Sequence, residues 1–160
     1  MAESHLLNEI DIQWMKLALA EAQKAAAMGE VPVGSIAVFN NQVIGWGFNA
    51  KEIDQDPTAH AEMLAVKQAA QFLENWRLID VTLYSTLEPC PMCAGAMIQA
   101  RLQRLVYGAP DVRFGAAGSV VDILSKPYFN HSIEVTAGIL EDEAAELLQE
   151  FFRSIRKREQ

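Results

Sequence analysis

Four side chains in two short stretches have the types and spacing to do chemistry. The stretch "PTAHAEM", residues 57–63, places His60 and Glu62 two positions apart. The stretch "LEPCPMCAG", residues 87–95, places Cys90 and Cys93 in a C-x-x-C pair, with Pro89 before it and Pro91 inside it. An imidazole and two thiolates are ligands that suit zinc, and a carboxylate beside an activated water is placed to carry protons. C-x-x-C alone also fits thioredoxin-like redox chemistry, so the two stretches must be weighed together.

The spacing constrains how these groups can meet. On the flank of a helix, residues i and i+2 point in nearly opposite directions. At a helix tip both can reach a point beyond the end. Pro57 and Thr58 read as the start of a helix over about 58–73, with Thr58 as its cap, so His60 and Glu62 fall in the first turn. Pro91 suits the first position of a second helix, over about 91–101, where its missing N–H costs little. That places Cys90 at the N-cap and Cys93 in the first turn. Both sulfurs then feel the positive end of the helix dipole, which favours the metal-binding thiolate. The tips converge if the strand before each helix runs to the same sheet edge, where ligands bind in open α/β folds.

His60, Cys90 and Cys93 make three ligands. A structural zinc takes four protein ligands, whereas a catalytic zinc keeps one position for water and lowers the pKa of that water towards about 7. His5 and His131 are the remaining histidines. Neither lies in a comparable helix-tip setting, so three ligands are expected. Glu62 is then the proton carrier, long enough to reach both the water and a substrate nitrogen. H-x-E followed by P-C-x-x-C is a signature of zinc-dependent deaminases.

The surrounding chain supplies elements of the right kind. Helical and strand-like patterns alternate, which indicates an α/β layered domain. A first helix is expected over about 12–28, with Asp11 as N-cap and Gly29 as its stop. "VGSIAVFNNQVIGWGFN" reads as a hairpin turning at Asn40 and Asn41. "IDVTLYST", "RLVYGA" and "IEVTAG" read as strands, "PDVRFGAAGS" as a loop and "VVDILSK" as a short helix. Residues 141–157 form a final amphipathic helix. Five strands with helices on both faces fit this order, but periodicity does not give strand order or direction.

A chain of 160 residues is expected to form one domain with a core that needs no disulfides. Composition is that of a soluble globular protein, 51% hydrophobic and 21% charged. No apolar run approaches the roughly 20 residues that span a bilayer. The N-terminus lacks the basic and apolar blocks of a signal peptide. With two free thiols, a reducing cytoplasm is the expected location. The net charge of -8 argues against a generic polyanion binder. It leaves room for a local basic patch, and Arg153, Arg156, Lys157 and Arg158 cluster near the end. The same cluster also suits the C-terminus of a solvated helix.

Beyond the zinc motif, the stretches "EVPVGS", "VIGWGFN", "DPTAHAEM", "RLIDVTLYSTLEPCPMCAGAMI" and "FGAAGS" resemble the bacterial tRNA adenosine deaminase branch of the cytidine deaminase-like superfamily. So do "NH" at 130–131 and "GIL" at 138–140. The resemblance runs from about residue 12 to 155. It implies a three-layer α/β/α sandwich around a five-stranded mixed sheet, filling residues 1–160 as one zinc-dependent deaminase domain that ends in a helix and a short basic segment. It implies one zinc ion per subunit, a homodimer, and hydrolytic conversion of the wobble adenosine of a tRNA anticodon loop to inosine. A deaminase of the same fold acting on free guanine or cytosine is the alternative. By the same resemblance His60, Cys90 and Cys93 are zinc ligands and Glu62 the proton shuttle. Asn49 is a substrate-contacting asparagine, Asp111 an acidic loop residue near bound RNA, and the backbone of Ala61 a candidate for reading the base.

Other residues have plainer readings. Trp14, Trp46 and Trp76 are expected in core or interface. Phe114 lies in a Gly-rich loop and could line the site. Of Phe151 and Phe152, one is expected to pack inward and the other to stand near Arg153 and Arg156. "FGAAGS" lacks the Lys and Ser/Thr pattern of a phosphate-binding loop and reads as a tight turn.

Overall fold

The computed structural model describes residues 2–125 and 129–160. Ten elements follow in chain order: α1 (Ala2–Ala27), β1 (Gly34–Phe39), β2 (Gln42–Phe48), α2 (Lys51–Asp54), α3 (Ala61–Leu73), β3 (Thr82–Leu87), α4 (Pro91–Gln99), β4 (Arg104–Ala109), β5 (Glu134–Ala137) and α5 (Glu141–Arg158). The strands form one sheet in the order β2-β1-β3-β4-β5. β1 is antiparallel to β2 and to β3, while β3, β4 and β5 are parallel.

Strand alternation divides the sheet into two apolar faces. Ile36, Val38, Tyr84 and Val106 point to one side, where they pack with Met15 and Ala18 of α1 and with Ile139. Ala37, Leu83, Leu105 and Tyr107 point to the other and pack with Ala65 and Ala69 of α3 and with Cys93, Met97 and Ile98 of α4. The result is the expected three-layer α/β/α sandwich. The hairpin turns where expected, with Asn40 and Asn41 at φ of 50° and 58°, the conformation a tight two-residue hairpin requires.

Small residues set the depth at which α3 lies on the sheet. A Cβ at Gly45 would overlap the carbonyl oxygen of Ala65, and one at Gly47 would overlap that of Ala61. Only glycine lets the helix backbone approach β2 this closely. The contact at Gly47 falls on the first residue of α3, so it sets the height of the helix tip.

Three expectations need correction. The first helix begins at Ala2, and Asp11 lies within it rather than capping it. Asp11 is 2% exposed. Its carboxylate accepts from both Arg104 Nη atoms, at 2.8 and 2.7 Å, and from the Tyr84 hydroxyl at 2.8 Å. A buried ion pair, not a cap, is the reason for an acid there. Residues 120–125 of the expected short helix are not helical. Asp122 Oδ1 instead accepts from the backbone N–H groups of Leu124 and Ser125, a local bond that competes with helix formation. Lys126, its last residue, lies outside the described residues. Finally, the loop before Pro57 contains the short helix α2, whose Ile53 N–H donates to buried Glu30 at 2.7 Å.

Among the described residues, no helix is long and apolar enough to cross a membrane.

Candidate active site

The sheet topology brings the two motifs together. β2 and β3 are each antiparallel to β1, so they run in the same direction. Their C-terminal ends share one edge, and α3 and α4 both begin there. Four described segments therefore converge at this edge: the end of β2 with Asn49, the tip of α3, the turn into α4, and the loop after β4.

His60 is the N-cap of α3, with extended backbone at φ −83° and ψ 148°. The expected cap, Thr58, is engaged elsewhere: its N–H and hydroxyl both donate to Asp56 Oδ1 at 2.8 Å. The His60 ring makes no capping bond. Asn49 takes over that task from outside the helix. Its Oδ1 accepts from the N–H of Ala61, the first residue of α3, at 2.9 Å. An N–H can only donate, so the side-chain atom facing it is the oxygen and Nδ2 points elsewhere. Ala61 is fully buried and its N–H is already used, so that N–H is not free to read a base. Asn49 Nδ2 carries the spare hydrogen-bonding capacity at this wall.

Cys90 is the N-cap of α4 and Pro91 its first residue, as the sequence indicates. Cys93 lies within the first turn and is 1% exposed. The ring nitrogen Nδ1 of His60 stands 3.6 Å from Cys90 Sγ and 3.4 Å from Cys93 Sγ. The three donor atoms lie within 4.8 Å of one another. A tetrahedral zinc, with Zn–S about 2.3 Å and Zn–N about 2.0–2.1 Å, sets N···S edges of about 3.5 Å. The triangle thus has the donor types and the dimensions for such an ion. Among the described residues no fourth His, Cys, Asp or Glu joins it. His131 is bonded to the Leu102 carbonyl at 2.8 Å, by the N-terminal end of β4 and so at the opposite edge of the sheet. His5 is exposed on α1.

The electrostatics of the triangle suit metal binding. The thiol of Cys93 donates to Cys90, and this bond, followed by one from His60, holds Cys90 down at about 4 despite its burial. Cys93 is correspondingly pushed up by that bond and by burial. The hydrogen bond with Cys90 raises His60. A metal ion replaces the shared protons as the group that holds these donors together. Glu62 stands beside the triangle without belonging to it. It is 4% exposed, and burial pushes its carboxyl up to about 7, against the pull of its own backbone N–H and of His60. A carboxyl poised near neutrality can both take and return a proton.

The far wall is the loop after β4. Asp111 Oδ1 accepts from the N–H groups of Arg113 and Phe114, at 3.0 and 3.1 Å, so its carboxylate shapes its own turn. Phe114 on the same loop is 64% exposed. Trp46 and Trp76 are 41% and 55% exposed and do not belong to the core; the Arg77 guanidinium lies 4.3 Å from the Trp76 ring centre. Trp14 packs half-buried beside Met15. Phe151 is partly buried and Phe152 exposed, edge to face at 5.5 Å.

Sequence reasoning assigned no role to Glu88 and Glu30. Glu88 directly follows β3 and Glu30 lies in the turn after α1, and both are buried. An acid directly after the strand-like stretch "VTLYSTL" is the signal that points to Glu88.

Comparison with known proteins agrees with this geometry. The family model described as MafB19-like deaminase matches residues 10–156. The tRNA-specific adenosine deaminase of Bacillus subtilis is 45% identical over 92% of this chain and 92% of its own length. That of Haemophilus influenzae is 43% identical, covering 98% and 91%. A solved structure from work on A-to-I editing by tRNA:A34 deaminases superposes with a TM-score of 0.82 at 43% identity, covering 85% of this chain and 99% of the other. The guanine deaminase of Nitrosomonas europaea gives 0.76 at 26% identity, covering 88% and 83%. With its helix-tip donor triangle, its neighbouring acid and these relatives, the chain belongs to the deaminase family, in the branch of the tRNA-specific adenosine deaminases.

Proposed function

We propose that this protein hydrolyses adenosine to inosine at the wobble position of a tRNA anticodon, releasing ammonia, as a cytoplasmic homodimer with one zinc ion per subunit. The observation that carries the reading is the triangle of His60 Nδ1, Cys90 Sγ and Cys93 Sγ, with buried Glu62 beside it and no fourth ligand among the described residues.

His60, Cys90 and Cys93 would hold the ion. Bound there, zinc supplies Lewis-acid activation of water near neutral pH. Glu62 takes the proton released by the attacking water and delivers it to a ring nitrogen of adenine. It then passes a second proton to the departing amine, so that one water is consumed and one ammonia leaves. Asn49 fixes the tip of α3 through Oδ1 and offers Nδ2 to the substrate. Ala61 contributes the N–H that orients Asn49. Asp111 and Phe114 form the opposite rim, and the cations from Arg153 to Arg158 supply local positive charge for RNA. The base must leave its stack to enter, which costs little in an anticodon loop.

Greater identity to the tRNA enzymes than to the guanine deaminase favours this substrate over a free base. Purified protein given an anticodon stem-loop should form inosine, while free guanine and cytosine stay intact. Turnover of a free base with inert RNA would overturn the reading.

A further inference from the structure

Glu88 sits one residue beyond β3 and two before Cys90, and it is 1% exposed. A carboxylate that deep needs partners, and its side-chain hydrogen bonds, to Asp111, Ala117 and Ser119, all go to one loop. Oε1 accepts from the Asp111 N–H at 3.0 Å and from the Ser119 hydroxyl. Oε2 accepts from the Ala117 N–H at 2.9 Å and the Ser119 N–H at 3.1 Å. The Ala116 N–H adds a bond of 2.8 Å to the carbonyl of Pro89. Burial alone would raise the Glu88 pKa, but these donors outweigh it and hold the carboxyl below its usual range. The loop is shaped to this acid: a Cβ at Gly115 would lie 2.5 Å from Glu88 Cδ and would also overlap the Asp111 carbonyl oxygen.

One side chain thus ties the whole span from Asp111 to Ser119 to the turn that carries the metal ligands. We propose that Glu88 is a positioning residue for substrate: it fixes the loop bearing Asp111 and Phe114 against the Cys90–Cys93 turn, so the rim is formed before RNA arrives. It acts on substrate binding through that loop, and touches neither the metal nor the reacting atoms. The inference rests on the proposed function for the assay substrate and for the rim role of Asp111 and Phe114.

Two substitutions test it by different routes. In Glu88→Gln, an amide nitrogen replaces one oxygen. The Ser119 hydroxyl can turn round and accept from that nitrogen on the Oε1 side, but the Asp111 N–H cannot, so the Asp111 end is released first. Gly115→Ala leaves Glu88 in place and forces the loop away from it. Both variants are made in the full-length, zinc-loaded protein, with zinc per chain and the unfolding transition used to count folded enzyme. Losing one charge-assisted hydrogen bond predicts a rise in KM for the anticodon stem-loop of about tenfold, with kcat within about threefold. Trypsin cleavage after exposed Arg113 should also quicken by about tenfold. An unchanged KM per folded molecule would overturn the proposal and leave Glu88 a purely structural residue, as would unchanged cleavage at Arg113. If the wild type itself fails on the stem-loop, the proposed function falls, and cleavage at Arg113 alone decides this inference.

Discussion

Asn49 has two separable tasks, and one substitution can split them. Its Oδ1 satisfies the Ala61 N–H at 2.9 Å at the tip of α3, and the proposed function gives its Nδ2 to the substrate. Asn49→Ala removes both. The lost capping bond is worth about 1–2 kcal/mol, because it leaves a buried helix-terminal N–H unpaired. For a chain of this size that lowers Tm by roughly 2–8 °C. Loss of the substrate bond should lower kcat/KM by a further factor of about 10–100. Asn49→Asp keeps an acceptor facing Ala61 at a helix N-terminus, where negative charge is favoured, but removes the donor. Its stability should stay within about 1 kcal/mol of wild type while kcat/KM falls as far as in Asn49→Ala. Thermal unfolding and stem-loop kinetics on the same preparations provide both readings. An Asn49→Asp enzyme with full activity would refute the donor role, and an Asn49→Ala protein of unchanged stability would refute the cap.

Three further outcomes are expected. Glu62→Gln should retain zinc and fold but lose about 10²–10⁴ in kcat, measured by inosine formation; a rate near wild type would remove Glu62 from proton transfer. Asp11→Ala leaves Arg104 half-paired beside the sheet and should cost about 3–5 kcal/mol in denaturant unfolding, with little change in activity per folded molecule. Zinc uptake by the metal-free protein should release protons and weaken as pH falls, because His60 and Cys93, both with raised pKa, must give up protons to bind; calorimetry in buffers of different ionisation enthalpy would show this, and an affinity independent of pH would contradict it.

Local chemistry made several features readable in the sequence. Pro91 after Cys90 reports a helix start because its ring fits only there. Asn40 and Asn41 report a tight turn because they tolerate positive φ. The candidate donors His60, Cys90 and Cys93 were readable from their residue types together with their spacing about two helix starts. Only the tertiary structure decided that β2 and β3 run the same way, which brings the two helix tips to one edge. The hairpin sets β2 against β1 locally, but the pairing of β1 with β3 joins distant segments that no local pattern encodes. The same holds for Asp11, which reads as a cap until Arg104 and Tyr84 are seen against it. It holds also for Asn49 and Glu88, whose partners, Ala61 and the 111–119 loop, lie 12 or more residues away. Side-chain type shows which bonds a residue can make, and the packing of the chain selects which of them form.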